Sequence, residues 1–397
     1  MSMRAIGIAV LLCGIASAQE PKPKVIWDCK LPALGRGTAA VADGMIYAPL
    51  YDGSAFVAID AEKGKVRWRT PLQDTSPFSP ILDKDSVYVI TSSCTLYRLA
   101  RSNGEILWSR WLASSIHSMP ALSEGKIFAA ASDTRDRKPR EGGWHLLCLE
   151  ARTGVELWAE PIGADVLGAP MVNQGYACVS LQDGNVAALG VDDGKTVWKH
   201  PVSARSMPVP WRERLVFHSS EGLAAVERKD GDASLIYTPE GKSGTGGPSP
   251  EFAYPMVSGD HAYVSFNGID LLCVDLANKH ATWAYSEPGQ NLGSPVTVGG
   301  RVYFGTSAGR LFCLDAGSGR KVWSVSPHGV LLDAPTIVGG RIYLYKQGRA
   351  LTCVDTGNPE ATGWGMWGGN PEHTGGKKLE EQAVTPTPDG QPGKPRK

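Results

Sequence analysis

The sequence predicts an all-β fold, an eight-bladed β-propeller of four-stranded antiparallel blades whose ring is closed by an N-terminal strand. Three observations predict it. Tryptophans recur at a period near forty: Trp27 to Trp68 is 41 residues, and Trp68 to Trp108, Trp158 to Trp198 and Trp283 to Trp323 are each 40, the spacing of stacked small sheets. A second register runs in step, a small or cysteine residue, an aliphatic and usually an acid. Its eight copies are Ala58-Ile59-Asp60, Arg98-Leu99-Ala100, Cys148-Leu149-Glu150, Ala188-Leu189-Gly190, Ala225-Val226-Glu227, Cys273-Val274-Asp275, Cys313-Leu314-Asp315 and Cys353-Val354-Asp355. The third observation is a matched pair of defects. Val25-Ile26-Trp27 carries a repeat tryptophan with no blade ahead of it, and the last unit, 332–355, loses the Gly-Lys-x-x-Trp continuation found earlier and runs into Thr356-Gly357-Asn358-Pro359. Residues 24–30 are expected to be the outer strand of the eighth blade, leaving the ring without an open sheet edge.

In chain order, residues 1–18 read as a signal peptide. Arg4 precedes an apolar run from Ala5 to Ile15, and Ala16-Ser17-Ala18 has the small-x-small pattern of a cleavage site. The run is too short to span a bilayer as a helix, and no later apolar run is long enough either. Cys13 follows Leu12, where a lipid-attachment site needs a small residue, so the expected product is periplasmic or secreted, unlipidated, without a transmembrane segment and monomeric. Residues 19–358 form the propeller, with blade one over 37–68. Trp108 to Trp158 is 50 residues, one repeat with an insertion; Trp198 to Trp283 is 85, two repeats with Leu235 in place of the middle tryptophan. The five other tryptophans are off-register.

The clearest single unit runs from Gly293 to Trp323. Gly293-Ser294-Pro295-Val296-Thr297 gives an inner strand. Arg301 to Thr306 and Arg310 to Asp315 alternate at period two around the turn Ser307 to Gly309. Asp315-Ala316-Gly317-Ser318-Gly319 makes the next turn, with the aspartate accepting backbone hydrogen bonds and Gly319 at positive φ, before Lys321-Val322-Trp323 opens the outer strand. Beyond the ring, residues 359–376 contain GWGMWGGNPEHTG and are expected to clasp the ring through Trp364 and Trp367. The polar, proline-rich segment 377–397 reads as a disordered tail.

The 40 basic and 40 acidic residues balance, and cleaving the leader removes Arg4 alone among them, leaving a net charge near −1. No basic face recruits nucleic acid. The cysteines include no adjacent pair and no C-x-x-C. Cys148, Cys273, Cys313 and Cys353 share one repeat position and read as buried thiols, about 10 Å from blade to blade and beyond disulfide reach. A bridge among Cys29, Cys94 and Cys178 stays open. The eight histidines have no metal-binding spacing. The recurring acids Asp60, Asp275, Asp315 and Asp355 read as turn caps, too far apart for acid–base work. No G-x-S-x-G elbow occurs, and Gly241-Lys242-Ser243 lacks a phosphate-loop context.

Gly-Lys-x-x-Trp, Ser/Ala-Pro ahead of a strand and the small-Leu/Val-Asp strand end together resemble the PQQ-like β-propeller repeat family over residues 25–358, and GWGMWGGNPEHTG resembles the W-x-M…T-G segment near an end of such chains. The resemblance implies one of two functions. One is that of a BamB-like exported, non-enzymatic scaffold that binds another envelope or extracellular protein. The other is that of a quinoprotein-type, PQQ-dependent dehydrogenase, or another periplasmic enzyme, holding the quinone against a vicinal disulfide beside calcium. Lacking adjacent cysteines and large covering loops, this sequence is expected to be the former, without catalytic, cofactor or metal residues.

Strand order places the site. Links from outer to next inner strand and from second to third strand emerge on one face of the ring, and both long insertions, Ser132 to His145 and Thr238 to Phe252, belong to it. Arg36, His117, Arg205 and Asp333 stand just ahead of inner strands and are expected to rim the channel on that face, with Arg140, Trp144 and His145 from the first insertion. Trp144 and Arg140 are the expected anchors, since Trp and Arg dominate binding hot spots. The repeat tryptophans Trp27, Trp68, Trp108, Trp158, Trp198, Trp283 and Trp323 are expected to be structural, each packing on the neighbouring blade.

Overall fold

The computed structural model describes residues 22–35, 37–132, 143–239, 254–265, 268–331, 333–346, 349–361 and 373. The segment read as a leader, most of the segment read as a clasp, the segment read as a tail, the interiors of both insertions, and Arg36 and Arg140 lie outside the described residues. Among those described, eight four-stranded antiparallel sheets follow one another. In seven blades the four strands are consecutive in the chain. Blade one is Ala40–Ala42, Met45–Leu50, Ala55–Asp60 and Val66–Pro71, inner to outer. The eighth takes Thr336–Val338, Arg341–Lys346 and Ala350–Asp355 from the end of the ring and Lys24–Lys30 from its beginning. Lys24 pairs with Asp355 and Lys30 with Ala350, with a bulge between Val25 and Trp27. The ring is therefore closed by the strand expected to close it. All eight third strands end at the residue where the small-aliphatic-acid register ends.

The alternation read over Arg301–Thr306 is not an inside–outside one. The strand is Arg301–Gly305, and Val302 to Gly305 are all buried. Middle strands have both faces covered, because each blade lies between two others. In blade one, Ile46, Ala48 and Leu50 pack with Tyr343, Tyr345 and Leu351 of the eighth blade, while Tyr47, Phe56 and Ala58 pack with Val87, Val89 and Leu99 of the second. Period two here sorts side chains between two neighbours. Outer strands do alternate against solvent, as in Lys24–Lys30.

Tryptophans of six outer strands latch their blade to the next. Trp27 donates its indole N–H to the Ala61 carbonyl at 3.2 Å, Trp68 to Arg101 at 3.1 Å, Trp108 to Arg152 at 3.0 Å, Trp158 to Val191 at 3.0 Å, Trp198 to Arg228 at 2.8 Å and Trp283 to Ala316 at 3.0 Å. Every acceptor lies on the next blade's turn between third and outer strands. The indole then covers a glycine four residues past the strand-end position. A Cβ on Gly104 would stand 2.4 Å from Trp68, and one on Gly194 2.6 Å from Trp158. These glycines also hold positive φ, 75° at Gly104 and 72° at Gly194, so contact and backbone exclude other residues together. Within its own blade each of Trp68, Trp108, Trp283 and Trp323 meets a tyrosine of the second strand, with centroids 5.8 to 6.2 Å apart.

All seven described cysteines are free and buried, which closes the question of a bridge among Cys29, Cys94 and Cys178. Burial pushes the thiol of Cys148 up to about 11 and those of Cys178 and Cys353 up to about 12. The strand-end acids cap their turns as expected. Asp60 accepts the Glu62 and Lys63 amides at 3.0 and 2.8 Å, and Asp275 those of Ala277 and Asn278 at 3.0 and 2.9 Å. At the ring's end Asp355 accepts the Gly357 amide at 2.7 Å and Thr356 Oγ1 donates to the Gly340 carbonyl at 2.8 Å; past them Ala361 is fully buried and its carbonyl accepts Gly340 N–H at 3.1 Å. His373 is buried too, with Nδ1 3.0 Å from the Pro80 carbonyl beside blade two's inner strand.

Candidate functional site: the linker face

Connections between blades gather on one face, where five of the outer-to-inner linkers pair with the end of the next second strand. Isolated bridges join Gly35 to Leu50, Ser115 to Ser132, Val166 to Leu181, Ala204 to Ser219 and Leu292 to Thr306. Backbone bonds extend this pairing, as from Gln182 N to the Asp165 carbonyl at 2.8 Å and from Arg205 N to the His218 carbonyl at 2.7 Å. Loops so tied hold side chains in fixed places on a stiff ring. Both insertions leave from this face, after Ser132 and after Tyr237.

The structure brings two of the expected residues together. The rings of His117 and Trp144 lie 5.8 Å apart at 48°, His117 on the linker into blade three and Trp144 at the start of that blade's third strand, Trp144–Glu150. Around them stand residues that sequence reasoning missed. Asp165, on the linker into blade four, has Oδ2 3.1 Å from His117 Nδ1, and Ser115 Oγ is 3.2 Å from His117 Nε2. Asp165 also accepts the Val166 amide at 2.7 Å and Gln182 Nε2 at 3.4 Å. Its side chain is 3 % exposed against 64 % for His117. Burial raises the Asp165 carboxyl above its ordinary range, opposed by the Val166 amide and by His117.

The other expected residues stand apart or inside. Arg205 is exposed on the linker into blade five, and its guanidinium has no partner among the described residues. Asp333 is half-buried on the linker into blade eight. Its charge adds to burial in raising the hydroxyls of Tyr254 and Tyr345 far above the usual phenol range, and Tyr345 donates to the Pro49 carbonyl at 3.2 Å. His145 is 3 % exposed. It follows Trp144 on the same strand, so it points to the opposite sheet face, the blade-two side where Leu147 and Leu149 pack, whereas Trp144 packs on the blade-four side. The opposite face of the ring carries turns such as Asp43-Gly44, Gly299-Gly300 and Ala316 to Arg320.

Matches to a family described as outer membrane protein assembly factor BamB cover residues 14–135, 111–292 and 281–362 of this chain. The chain belongs to that family of PQQ-like propeller repeats. An outer membrane protein assembly factor BamB from Yersinia pestis is 25% identical over 162 residues, 37% of this chain and 39% of that protein. A tetrathionate hydrolase from Acidithiobacillus ferrooxidans is 22% identical over 58% of this chain and 50% of its own length. The chain thus spans half or less of the curated BamB relatives it matches, from 36% to 50%. Among solved structures, BamB from Moraxella catarrhalis superposes with a TM-score of 0.67 at 17% identity, over 84% of this chain and 98% of that one. Quinohemoprotein alcohol dehydrogenase from Comamonas testosteroni does so at 0.64 and 16%, over 85% and 77%. At those identities the structures share the propeller fold with this BamB-family chain. No described helix is long and apolar enough to cross a membrane.

Proposed function

We propose that this BamB-family chain is an exported envelope protein that binds another protein through its linker face and acts as an assembly scaffold. The observation that carries the reading is the pairing of Trp144 with His117 and Arg205, exposed and without a side-chain partner among the described residues, on the face from which both insertions leave. Aromatic and arginine side chains on a stiff support are the anchors that binding energy concentrates on. The family match over most of the chain supports the assembly role.

Binding, not quinone oxidation, is the work assigned to it. The enzymatic branch of the resemblance seats its quinone on adjacent cysteines, whereas the described cysteines here are free, buried and singly placed, four of them at one repeat position inside their blades. No three described His, Cys, Asp or Glu residues stand together as a metal-ligand group. These placements support binding over quinone catalysis as the reading proposed here.

The test is capture. Tagged protein crosslinked in the native cell is purified and its partner identified, and the capture is repeated with Arg140, Trp144 and Arg205 replaced by alanine. The reading expects capture to fall while the melt stays put. Undiminished capture, with loss on changing turns of the opposite face, contradicts it, as does quinone uptake giving a coloured, calcium-dependent complex.

A further inference from the structure

We propose that Ser115, His117 and Asp165 form a serine nucleophile site on the linker face, acting on small acyl esters. The three side chains stand in series, Ser115 Oγ 3.2 Å from His117 Nε2 and His117 Nδ1 3.1 Å from Asp165 Oδ2. An ionised carboxylate only accepts hydrogen bonds, so Nδ1 carries the imidazole proton and the Nε2 lone pair is turned to the serine hydroxyl. That is the order of a nucleophile, its base and the group that orients the base, which is recognised by geometry and not by position in the chain.

Each member is held. Asp165 is fixed by the Val166 amide at 2.7 Å and Gln182 Nε2 at 3.4 Å. Trp144 walls one side of the imidazole. Ser115 is pinned through its backbone, donating to the Ser132 carbonyl at 3.2 Å and accepting from Ser132 N at 3.0 Å. The site is also reachable, since Ser115 is half-buried and His117 is 64 % exposed.

The propeller itself does not call for these residues. Matched through the linker bridges, the Ser115 position is Gly35, Val166, Ala204 and Leu292 at other junctions. The position two residues on, His117 here, is Gly37, Gly168, Ser206 and Ser294. The Asp165 position is Leu34, Ser114, Ser203 and Asn291. Among the described residues the three types meet at the junction of blades three and four.

In the step assigned, Ser115 Oγ bonds to the ester carbonyl carbon as its proton passes to His117 Nε2. The bond from that carbon to the alcohol oxygen breaks, and the alcohol leaves with that proton. Water then adds to the acyl-serine, giving a proton to the same nitrogen; the carbon–Oγ bond breaks, Ser115 regains a proton and the carboxylic acid departs. Ser115 and His117 are the catalytic residues, and Asp165 positions His117.

The experiment uses the full chain and p-nitrophenyl acetate, with a fluorophosphonate as a separate covalent probe. The expected results are a phosphonyl adduct on Ser115 by peptide mass spectrometry and hydrolysis lowered about 10²-fold or more in Ser115→Ala and in His117→Gln, the range for loss of general-base help, with unchanged melts. Asp165→Asn, which keeps the shape but lets the imidazole take the wrong tautomer, lowers kcat while KM holds. No adduct on Ser115, or a Ser115→Ala rate equal to the parent's, overturns the site; an unchanged kcat in Asp165→Asn overturns the positioning role. None of these readouts depends on partner capture, so this site and the scaffold reading fail separately.

Discussion

Trp211 donates its indole N–H to Asp260 Oδ1 at 3.0 Å, joining the end of blade five's inner strand to the turn after blade six's. Arg212 adds a 2.7 Å ion pair to the other carboxylate oxygen and lies 5.4 Å over the Trp211 ring. At this junction the outer latch is missing. Leu235 holds the tryptophan's place by sequence spacing only: with the bulge of blade five's outer strand shifted, Ser234 faces Ala225, the pairing that tryptophan makes with Ala58 in blade one, and Lys279 occupies the turn position that glycine holds under each latching indole. The off-register Trp211 therefore supplies a latch nearer the axis. Trp211→Phe, which keeps an aromatic ring and loses the donor, is expected to destabilise the protein by about 1.5–3 kcal/mol, the range for a hydrogen bond to a charged acceptor, measured by denaturant unfolding.

Gly104→Ala and Lys279→Gly are expected to have opposite signs. The first sets a Cβ 2.4 Å from Trp68 at φ 75°, and should cost more than the roughly 1–2 kcal/mol of left-handed strain alone. The second meets no indole and relieves Lys279 of φ 61°, so it should leave stability level or raise it by up to about 1 kcal/mol. Thermal melts of the two variants check the pair.

Acidification should destabilise the ring in two stages. Burial lowers His218 and His373 from 6.5 to about 4. With a folded pKa below the unfolded one, the unfolded chain binds more protons between those values, so the stability present above pH 6.5 is lost as pH falls toward 4. Turn and side-chain hydrogen bonds then lower Asp60, Asp260, Asp275 and Asp315, whose contribution is present above the unfolded carboxyl value near 3.8 and is lost below it. Asp165, raised by burial, works the other way. His218→Gln should remove about half of the slope of stability between pH 6.5 and 4, as read by melts across that range.

Deleting residues 19–30 should destabilise the whole ring. It strips Trp27 from Ala61 and leaves Ala350–Asp355 as an open edge with a ladder of unpaired backbone groups. Chemical denaturation of the truncated chain checks it, and an unchanged melting temperature would refute the closure.

The fold was legible because every blade must solve the same packing problem, so Trp68 or Asp60 announces itself by recurrence and the orphan Trp27 by lacking a blade. What recurrence hides is the pairwise device used once: Trp211 reads as off-register until Asp260, 49 residues away, is seen beside it. The linker-face cluster was half legible. His117 and Trp144 were visible as unusual residues at loop positions, whereas Asp165 comes from the next linker, 48 residues on, and no spacing rule joins it to His117. His145 was misplaced by counting the loop one residue too far. The strand begins at Trp144, and one step along it turns a side chain from the blade-four side, where Trp144 meets His117, to the blade-two side, where it is buried.

The central claim is that recognition happens on the linker face. A photo-crosslinking amino acid placed at position 205, exposed on that face, is compared in the native cell with one at position 230, exposed in the turn between third and outer strands on the opposite face. Partner adducts at 205 and none at 230 are the predicted result. Adducts at 230 with none at 205 would contradict the account.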